Sequence, residues 1–397
     1  MAIRDDAAAI AADIAELRHA IHREPEIGLD LPKTQRKVLA ALDGLPLEIS
    51  TGRGLTSVTA VLRGALPGPA VLIRADMDAL PVTEATGVPY ASQIDGAMHA
   101  CGHDLHTAML AGAARLLSAR QAEIAGSVIF MFQPGEEGEH GARYMIEGGL
   151  LEAAGARPAH AYGLHVISHE LPNGVFTTRP GPLLAATDSL DVTVLGRGGH
   201  ASVPYLNADP VPAICEMVTA LQTMVTRRFN VFDPVVITVG SLHTGTARNV
   251  IPDTATFNAT VRSFSEEARR RLELESVRLV RDIANAHGLA ADAQYTRGYP
   301  VTVNDSAEAA FAAEAVSVLF GAARMRTRAH PLTGGEDFSY VLEQVPGAFI
   351  ILGACPPDAD PATAPSNHSA VAVFDDCVLA DGAALYAGLA LRRLAPD

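Results

Sequence analysis

The stretch SVIFMFQPGEEG, residues 127–138, joins a short apolar segment to a turn that carries two adjacent carboxylates. Its first half, Ser127–Phe132, has the length and β-rich composition of a buried strand. Ligands of α/β proteins bind at the carboxyl ends of strands, which is where Glu136 and Glu137 stand. Neighbouring side chains point apart, so one acid can bind a metal while the other acts as a general base. The alternative without a function is a solvated acidic turn. That is the more common role of two adjacent glutamates, but less so for a pair that lies between a strand and two glycines.

Predicted strands and helices alternate on both sides of this stretch. Val58–Arg63, Ala70–Ala75 and Ala161–Val166 have the pattern of strands, and His103–Ala119 has that of a helix. This alternation is typical of an α/β domain with a largely parallel, buried sheet. The same pattern resumes after about residue 300, beginning with a predicted helix at Ser306–Phe320.

The pattern is different between residues 188 and 300. The predicted elements there are, in order, Ser189–Leu195, Pro210–Arg228, Val235–Leu242, Thr254–Phe264, Glu266–His287 and Ala293–Tyr299. Their order, β-α-β-β-α-β, is that of a ferredoxin-like unit. We therefore predict a discontinuous α/β catalytic domain at residues 1–187 plus 301–397, with a ferredoxin-like α+β domain inserted at residues 188–300.

Composition excludes several classes of protein. The 397 residues are 48% hydrophobic and 19% charged, which is typical of a globular protein with a sizeable core. A net charge of −15 argues against a nucleic-acid partner, which would require a basic surface. No apolar run has the length of a membrane span, and the acidic, alanine-rich N-terminus does not resemble a signal peptide. Four scattered cysteines do not form a disulfide framework, so we expect a cytoplasmic enzyme with reduced thiols.

A second signal is HACGHDLH, residues 99–106, which opens a predicted helix. A thiolate and an imidazole two residues apart, as in Cys101 and His103, can reach one metal ion or bridge two. The helix N-terminus also favours the thiolate. The alternative is that Cys101 is a small buried residue and that the histidines cap the helix or face solvent.

Three weaker signals lie at other strand ends and loops. RADMDALP, residues 74–81, follows an apolar strand, His165 lies on a predicted strand, and His368 follows a proline-rich loop. A single strand histidine is more often a hydrogen-bonded core residue than a ligand. Together, however, the segments supply a cysteine, three histidines and a glutamate at one edge of the expected sheet. That set is sufficient for two closely spaced metal ions that share one ligand.

The motifs RADMDALP, CGHDLH, QPGEEG, GLHV, GGHASVP, GGEDFSY and NHS, in this order, resemble the M20 metallopeptidase family. The most similar branch is that of the hippurate hydrolases and auxin-amide hydrolases. The resemblance extends from about His22 to the C-terminal helix, and seven motifs in order are highly specific. It implies a di-metal aminopeptidase-like catalytic domain and an inserted lid domain that mediates dimerisation.

The resemblance also implies a role for each matching residue of the metal site. Cys101 would bridge two ions, His103 and His165 would complete one site, and Glu137 and His368 would complete the other.

Two further acidic residues belong to the same site. Glu136 would be the general base, and Asp78 would lie behind the metal site and orient a ligand. Asp76 stands where other branches have a metal-binding histidine, and we do not assign it as a ligand.

The inserted domain contributes three further candidates. His200 would stabilise the oxyanion, in its own or in the partner's active site, and Asn249 and Arg262 would contact substrate or the dimer interface. In the catalytic domain, Gly335 would allow close approach of a substrate. The alternatives are an exposed histidine in a glycine-rich hairpin and strand residues that pair locally. Tyr205 replaces a histidine that relatives often carry, which leaves specificity open at that position.

These observations lead to a functional prediction. We expect a metal-dependent amidohydrolase that cleaves N-acyl amino acids, such as hippurate-like or acetylated ones, to a carboxylic acid and an amino acid. Its cofactors would be two divalent ions, Zn or Mn, with Co or Ni as alternatives. It would form a homodimer through the inserted domain, or a tetramer, without a membrane or nucleic-acid partner. The rival predictions are a dipeptidase or carboxypeptidase of the same family and a non-catalytic ligand-binding relative.

Overall fold

The computed structural model describes residues 2–396 and divides the chain into two compact units. The first unit consists of the chain up to Leu183, Val303–His330 and the chain from Asp337 onward. The second unit consists of Leu184–Thr302 and Pro331–Glu336. The short segment Pro331–Glu336, which contains Gly335, therefore packs with the second unit. The functions expected of the two domains stay predictions.

The helices and strands are numbered in chain order. The helices are α1 (Ala2–Ala9), α2 (Ala11–His22), α3 (Pro32–Leu42), α4 (His103–Ser118), α5 (Gly141–Glu147), α6 (Pro210–Arg228), α7 (Glu266–Ala286), α8 (Ser306–Phe320), α9 (Ser339–Leu342) and α10 (Leu379–Arg393). The strands are β1 (Leu47–Thr51), β2 (Val58–Arg63), β3 (Leu66–Asp76), β4 (Ala125–Gln133), β5 (His160–Ile167), β6 (Phe176–Thr178), β7 (Gly181–Leu184), β8 (Ala186–Leu195), β9 (Gly199–His200), β10 (Val235–Thr244), β11 (Val250–Ile251), β12 (Thr254–Ser263), β13 (Ala290–Arg297), β14 (Thr302–Asn304), β15 (Met325–Thr327) and β16 (Gly347–Gly353).

The first unit is built on an eight-stranded sheet with the order β1-β2-β4-β3-β5-β16-β6-β15. The four central strands, β4, β3, β5 and β16, are parallel to one another. β2 is antiparallel to both β1 and β4, and β6 is antiparallel to β16. The expected α/β fold is confirmed, but the sheet is mixed, because a β1–β2 hairpin extends one side of the parallel core.

Small residues let the helices of the first unit pack closely. α4 contacts β3 and β5 and also packs against α2 and α10. A Cβ atom added at Gly112 would lie 2.6 Å from Ile14 Cδ1, and one at Gly382 would lie 2.2 Å from Met109 Sδ. The glycines of α4 and α10 therefore have a structural consequence, since they let α4 pack closely against both α2 and α10.

The second unit is a four-stranded antiparallel sheet with the order β10-β12-β8-β13. Every second residue of β8 is buried, and these side chains form a core with α6 and α7. Two helices and this strand order are those of the expected β-α-β-β-α-β arrangement. β10 lies at one edge of the sheet and has a bulge between Val239 and Ser241.

Two local features differ from the sequence-based expectation. The apolar spacing of Ile10, Ile14, Leu17 and Ile21 predicts a single helix over about residues 5–25. That helix is interrupted at Ile10, where φ is −105° and ψ is 8°, and so forms α1 and α2. α3 and β1 were not expected at all. Thr34, Val38 and Leu42 form the buried face of α3 at helical spacing, and Pro32 opens the helix, so the sequence did carry a pattern that indicates this helix.

Within residues 2–396, the helices all lack the combination of length and apolarity that a bilayer-crossing segment requires.

Candidate metal centre

The site is assembled where parallel strands of the first unit end. β3 ends at Asp76, β4 ends at Gln133, and β5 ends two residues after His165. Because these strands are parallel neighbours, their carboxyl ends meet at one edge of the sheet, where α4 also begins. The loop before α10 joins them, since His368 N donates a hydrogen bond to Ala100 O at 2.8 Å.

Cys101 lies at the centre of the predicted ligands. Its Sγ is 3.4 Å from His165 Nε2 and 3.3 Å from His368 Nε2. Cys101, His103 and His165 have ligand atoms that all lie within 4.8 Å of one another, and so do Cys101, Glu137 and His368. The structure thus brings the five predicted ligands together as two groups that share one sulfur atom.

The geometry fits metal ions at both positions. His103 Nδ1 is 2.9 Å from Asp78 O and His165 Nδ1 is 2.7 Å from Val166 O. A carbonyl oxygen only accepts, so both rings carry their proton on Nδ1 and present Nε2 as a free lone pair. His103 Nε2 is buried without a hydrogen-bond partner, and Glu137 Oε1 lies 3.9 Å from it. Leaving a buried polar atom unpaired costs about 1–3 kcal/mol, and a cation placed between these atoms would remove that cost.

Asp78 holds the loop that carries both glutamates. Its two carboxylate oxygens accept hydrogen bonds from Glu136 N at 3.0 Å and Glu137 N at 2.9 Å. Glu136 is 6% exposed, and its carboxylate lies within 4.8 Å of the ligand atoms of His103 and Glu137. This places a buried carboxylate beside the ligand groups, which is the position that a general base requires.

A buried network beneath the ligands was not predicted. Asp76 Oδ1 accepts from His106 Nδ1 at 2.5 Å and Asp76 Oδ2 accepts from Arg74 at 2.7 Å. His106 Nε2 accepts in turn from Val166 N at 2.8 Å. Both oxygens of Asp76 are therefore engaged within this network. The missed signal for His106 is its position three residues after His103, on the same side of α4.

Charge and burial combine to favour a cation at this edge of the sheet. Burial lowers the pKa of His165 well below its ordinary value, which keeps the imidazole neutral and able to bind metal. Burial alone would raise the pKa of Glu137, but the hydrogen bond with His368 and the charge of His103 lower it. Burial would likewise lower the pKa of His103, but Asp76 and Cys101 raise it well above its ordinary value. The field that favours a protonated imidazole also attracts a metal cation.

A glycine is required at the start of α4. Gly102 has φ +85°, and a Cβ atom there would lie 2.4 Å from Val166 Cγ2. Glycine adopts this left-handed conformation without the steric cost that other residues incur. It therefore lets Cys101 and His103 flank a tight turn against the strand that carries His165.

The predicted residues of the second unit lie on its own surface and sheet. His200 is exposed on β9, and Ser202 N donates to its Nδ1 at 3.1 Å, which leaves the proton on Nε2. Asn249 O accepts from Ala201 N at 3.1 Å, so the two predicted segments are adjacent. Arg262, on β12, donates to Thr260 Oγ1 and Val261 O, and Asp188 acts on it electrostatically.

Gly335 has a packing role in the second unit. A Cβ atom there would lie 2.2 Å from Thr187 Cγ2, so any larger residue would displace the first residues of β8. This contact accounts for the glycine without a ligand, and substrate contact by Gly335 stays a prediction.

Comparison with known proteins adds independent information. Residues 72–392 match the model of peptidase family M20/M25/M40. The chain is 35% identical to a thermostable carboxypeptidase of Saccharolobus solfataricus, over 98% of both chains. It is 37% identical to an N-acetylcysteine deacetylase of Bacillus subtilis, over 86% of this chain and 88% of that one. It is 34% identical to a hippurate hydrolase of Campylobacter jejuni, over 96% and 97%.

A solved structure is also similar. A dinuclear metal-binding peptidase of the M20 family from Bacillus subtilis superimposes with a TM-score of 0.83, at 32% identity, over 97% of this chain and 99% of that one. The expected fold, the family resemblance and the expectation of a hydrolase are thereby confirmed. The chain belongs to peptidase family M20.

Proposed function

We propose that this hydrolase uses two divalent metal ions to cleave the amide bond of N-acyl amino acids, releasing a carboxylic acid and an amino acid. The sharing of Cys101 by two groups of ligands, with the buried Glu136 beside them, is the observation that supports this most strongly. Hydrolysis of an amide needs an activated water, stabilisation of the oxyanion and a proton for the leaving amine, and the predicted residues include a group for each.

The ligand set indicates how the ions would be held. Cys101, His103 and His165 would hold one ion, and Cys101, Glu137 and His368 would hold the other. When bound, the ions would supply Lewis acidity at the scissile carbonyl and at the attacking water. Thiolate and imidazole ligands suit Zn, and the glutamate also suits Mn, with Co or Ni as alternatives.

The protein's own residues would carry the proton and the charge. Glu136 would take a proton from the attacking water and pass it to the leaving amine, while Asp78 keeps the loop in place through the two backbone amides. His200 Nε2–H would donate to the oxyanion that develops on the carbonyl oxygen, because Ser202 occupies the other ring nitrogen.

Recognition of the amino-acid part would depend on a carboxylate. Arg262 is partly buried, and burial lowers the pKa of its guanidinium from the usual value. A guanidinium whose hydrogen bonds go only to a hydroxyl and a carbonyl is suited to a bidentate pair with a substrate carboxylate, and Asn249 and Gly335 are the other predicted substrate contacts. The same pairing would recognise the C-terminus of a peptide, and the carboxypeptidase relative favours this second candidate function.

We further propose a cytoplasmic homodimer formed through the second unit. The free cysteines Cys101, Cys215, Cys355 and Cys377 agree with a reducing compartment. His200 is exposed, so it is free to act in its own subunit or in the partner's. Mixing Glu136→Gln and His200→Ala subunits distinguishes the two cases. Recovery of activity in the mixture indicates action across the dimer, whereas no recovery indicates action within one subunit.

The central test is the Glu136→Gln variant. It is expected to keep two metal ions per chain, measured by elemental analysis, and to lose at least about 100-fold in kcat, which is the low end of general-base contributions. Glu139→Gln is the matched control, because Glu139 lies in the same loop but is exposed. A Glu136→Gln enzyme with wild-type kcat would exclude Glu136 as the base.

The substrate class is tested by a panel. N-acetyl, N-benzoyl and long-chain acyl amino acids are compared with dipeptides and with acyl amino acid amides that lack the carboxylate. We expect the highest kcat/KM on an N-acyl amino acid and a large loss on the carboxamide. Arg262→Ala is expected to abolish that discrimination. Preference for dipeptides would favour the carboxypeptidase function, and metal binding without any hydrolysis would favour a non-catalytic relative.

A further inference from the structure

We propose that Asn367 is a positioning residue that links three segments of the metal site and holds His368 in a conformation it would otherwise avoid. The inference rests on the metal site proposed above. Asn367 is not one of the ligands, but its side chain and its place in the chain connect it to Cys101, to the segment of His165 and to His368.

The contacts of the Asn367 amide carry the proposal. Its Nδ2 donates to Cys101 O at 3.2 Å and to Val166 O at 3.0 Å, and it lies 3.8 Å from Cys101 Sγ. Val166 O also accepts the His165 Nδ1 proton at 2.7 Å. One amide group therefore fixes the carbonyl that sets the His165 tautomer and the turn that presents the shared sulfur.

The orientation of this amide is determined by Ser168. Asn367 Oδ1 accepts from Ser168 N at 3.0 Å and lies 3.1 Å from Ser168 Oγ. A backbone N–H can only donate, so Oδ1 must face Ser168 and Nδ2 must face Cys101 and Val166. A donor is required on that side, because both carbonyl oxygens and the sulfur are acceptors.

The next residue shows why this fixation matters. His368 has φ +71°, in the left-handed region that non-glycine residues rarely adopt. His368 N bonds to Ala100 O at 2.8 Å, and its Nε2 points at Cys101 Sγ and at Glu137 Oε1, 3.3 Å from each. The side chain is 54% exposed, so packing alone does not hold it. Asn367 anchors the backbone on one side, which lets the strained histidine face the two ligands before any ion binds.

Two substitutions at Asn367 test the proposal. Asn367→Asp keeps the acceptor toward Ser168 but turns a carboxylate oxygen toward the sulfur and the two carbonyls. Asn367→Ala removes the donor without adding charge, and it tests the same role if the aspartate variant does not fold. Asn230→Asp is the matched control, because Asn230 is exposed in the second unit and its acceptor bond to Phe232 N would be retained.

The measurement is Zn²⁺ affinity and stoichiometry of metal-stripped protein, by competition with a chelator, together with the thermal midpoint of the metal-free form. We expect each Asn367 variant to bind roughly 10- to 100-fold more weakly than wild type, as for other residues that support metal ligands. The Asn230→Asp affinity should remain at the wild-type value, and the Asn367 variants should lose more affinity than any fall in the metal-free midpoint accounts for. In Co²⁺-loaded protein, the sulfur-to-cobalt absorption band of Cys101 should shift in the Asn367 variants.

Wild-type affinity in both Asn367 variants would overturn the proposal. So would a loss of affinity that matches a fall in the metal-free midpoint, because the residue would then be merely structural. If wild type itself does not take up two ions, the proposed function fails, and this role fails with it. If wild type takes up two ions and the variants do so equally well, only the role of Asn367 fails.

Discussion

Asp78→Asn is expected to damage catalysis through two backbone contacts. Each carboxylate oxygen of Asp78 accepts one amide proton, from Glu136 N at 3.0 Å and from Glu137 N at 2.9 Å. Asparagine has nearly the same shape but only one acceptor oxygen. Its NH2 group would meet a backbone N–H, so one contact is replaced by two donors that face each other.

The size of the effect follows from the lost contact. A hydrogen bond to a charged group contributes about 1.5–3 kcal/mol, and Asp78 is only 1% exposed, so water does not replace it. At 1.36 kcal/mol for each tenfold change, this corresponds to a factor of roughly 10–150. Because the loop carries both the base and a ligand, we expect the loss in kcat, accompanied by weaker binding of the ion held by Glu137.

The assay is steady-state hydrolysis of an N-acyl amino acid at saturating metal, with metal content and thermal midpoint measured in parallel. Asp13→Asn is the control, since Asp13 forms only an exposed ion pair with Arg115 at 2.5 Å. Exposed pairs contribute about 0–1 kcal/mol, so this variant should behave as wild type. A kcat for Asp78→Asn within twofold of wild type at full metal occupancy would refute the positioning of the acidic loop by Asp78.

Three further predictions concern strain, pH and metal. Gly102→Ala should lower both Zn²⁺ affinity and stability, because φ is +85° and the new methyl would lie 2.4 Å from Val166. Gly44→Ala is the control for backbone strain alone, since Gly44 has φ +75° and nothing within 4 Å of its added Cβ atom. Equal effects of the two substitutions would contradict a role for the close contact between Gly102 and Val166. Burial lowers the pKa of His22, but Asp104 and Glu84 raise it to about 9 from 6.5. The protonated His22 therefore contributes fully to the free energy of unfolding below pH 6.5, and this contribution is lost as the pH rises through 9. We therefore expect the difference in free energy of unfolding between wild type and His22→Gln to shrink from pH 6.5 to pH 9. Urea denaturation of the metal-free proteins measures this difference. A difference that grows with pH would contradict the ion pairs of His22 with Asp104 and Glu84. Chelation should lower the free energy of unfolding, and Zn²⁺ at 100 times its Kd should restore about 2.7 kcal/mol for each site, an increment that Cys101→Ser should largely remove.

Much of the fold was predictable because local interactions determine it. α6 has the predicted bounds, Pro210–Arg228, since Asp209 accepts a hydrogen bond from Val211 N and Pro210 opens the helix. α8 also has its predicted bounds, and Asp305 caps it in the same way. The five candidate ligands could be predicted because four of them lie on or beside a strand or helix that hydrophobic periodicity indicates, and because the motifs that carry all five resemble a known family.

The sequence by itself determined most of the long helices and strands, the order of the two units and the residue types at the metal site, since those depend on neighbours in the chain. Only the tertiary structure decided which atoms face the site. The proton positions of His103 and His165 depend on carbonyls of Asp78 and Val166, and Asn367 reaches Cys101 from 266 residues away. The buried Arg74–Asp337 contact spans 263 residues. Such contacts have no local pattern, because hydrogen-bond geometry depends on distances that exist only after the sheet and its loops have assembled.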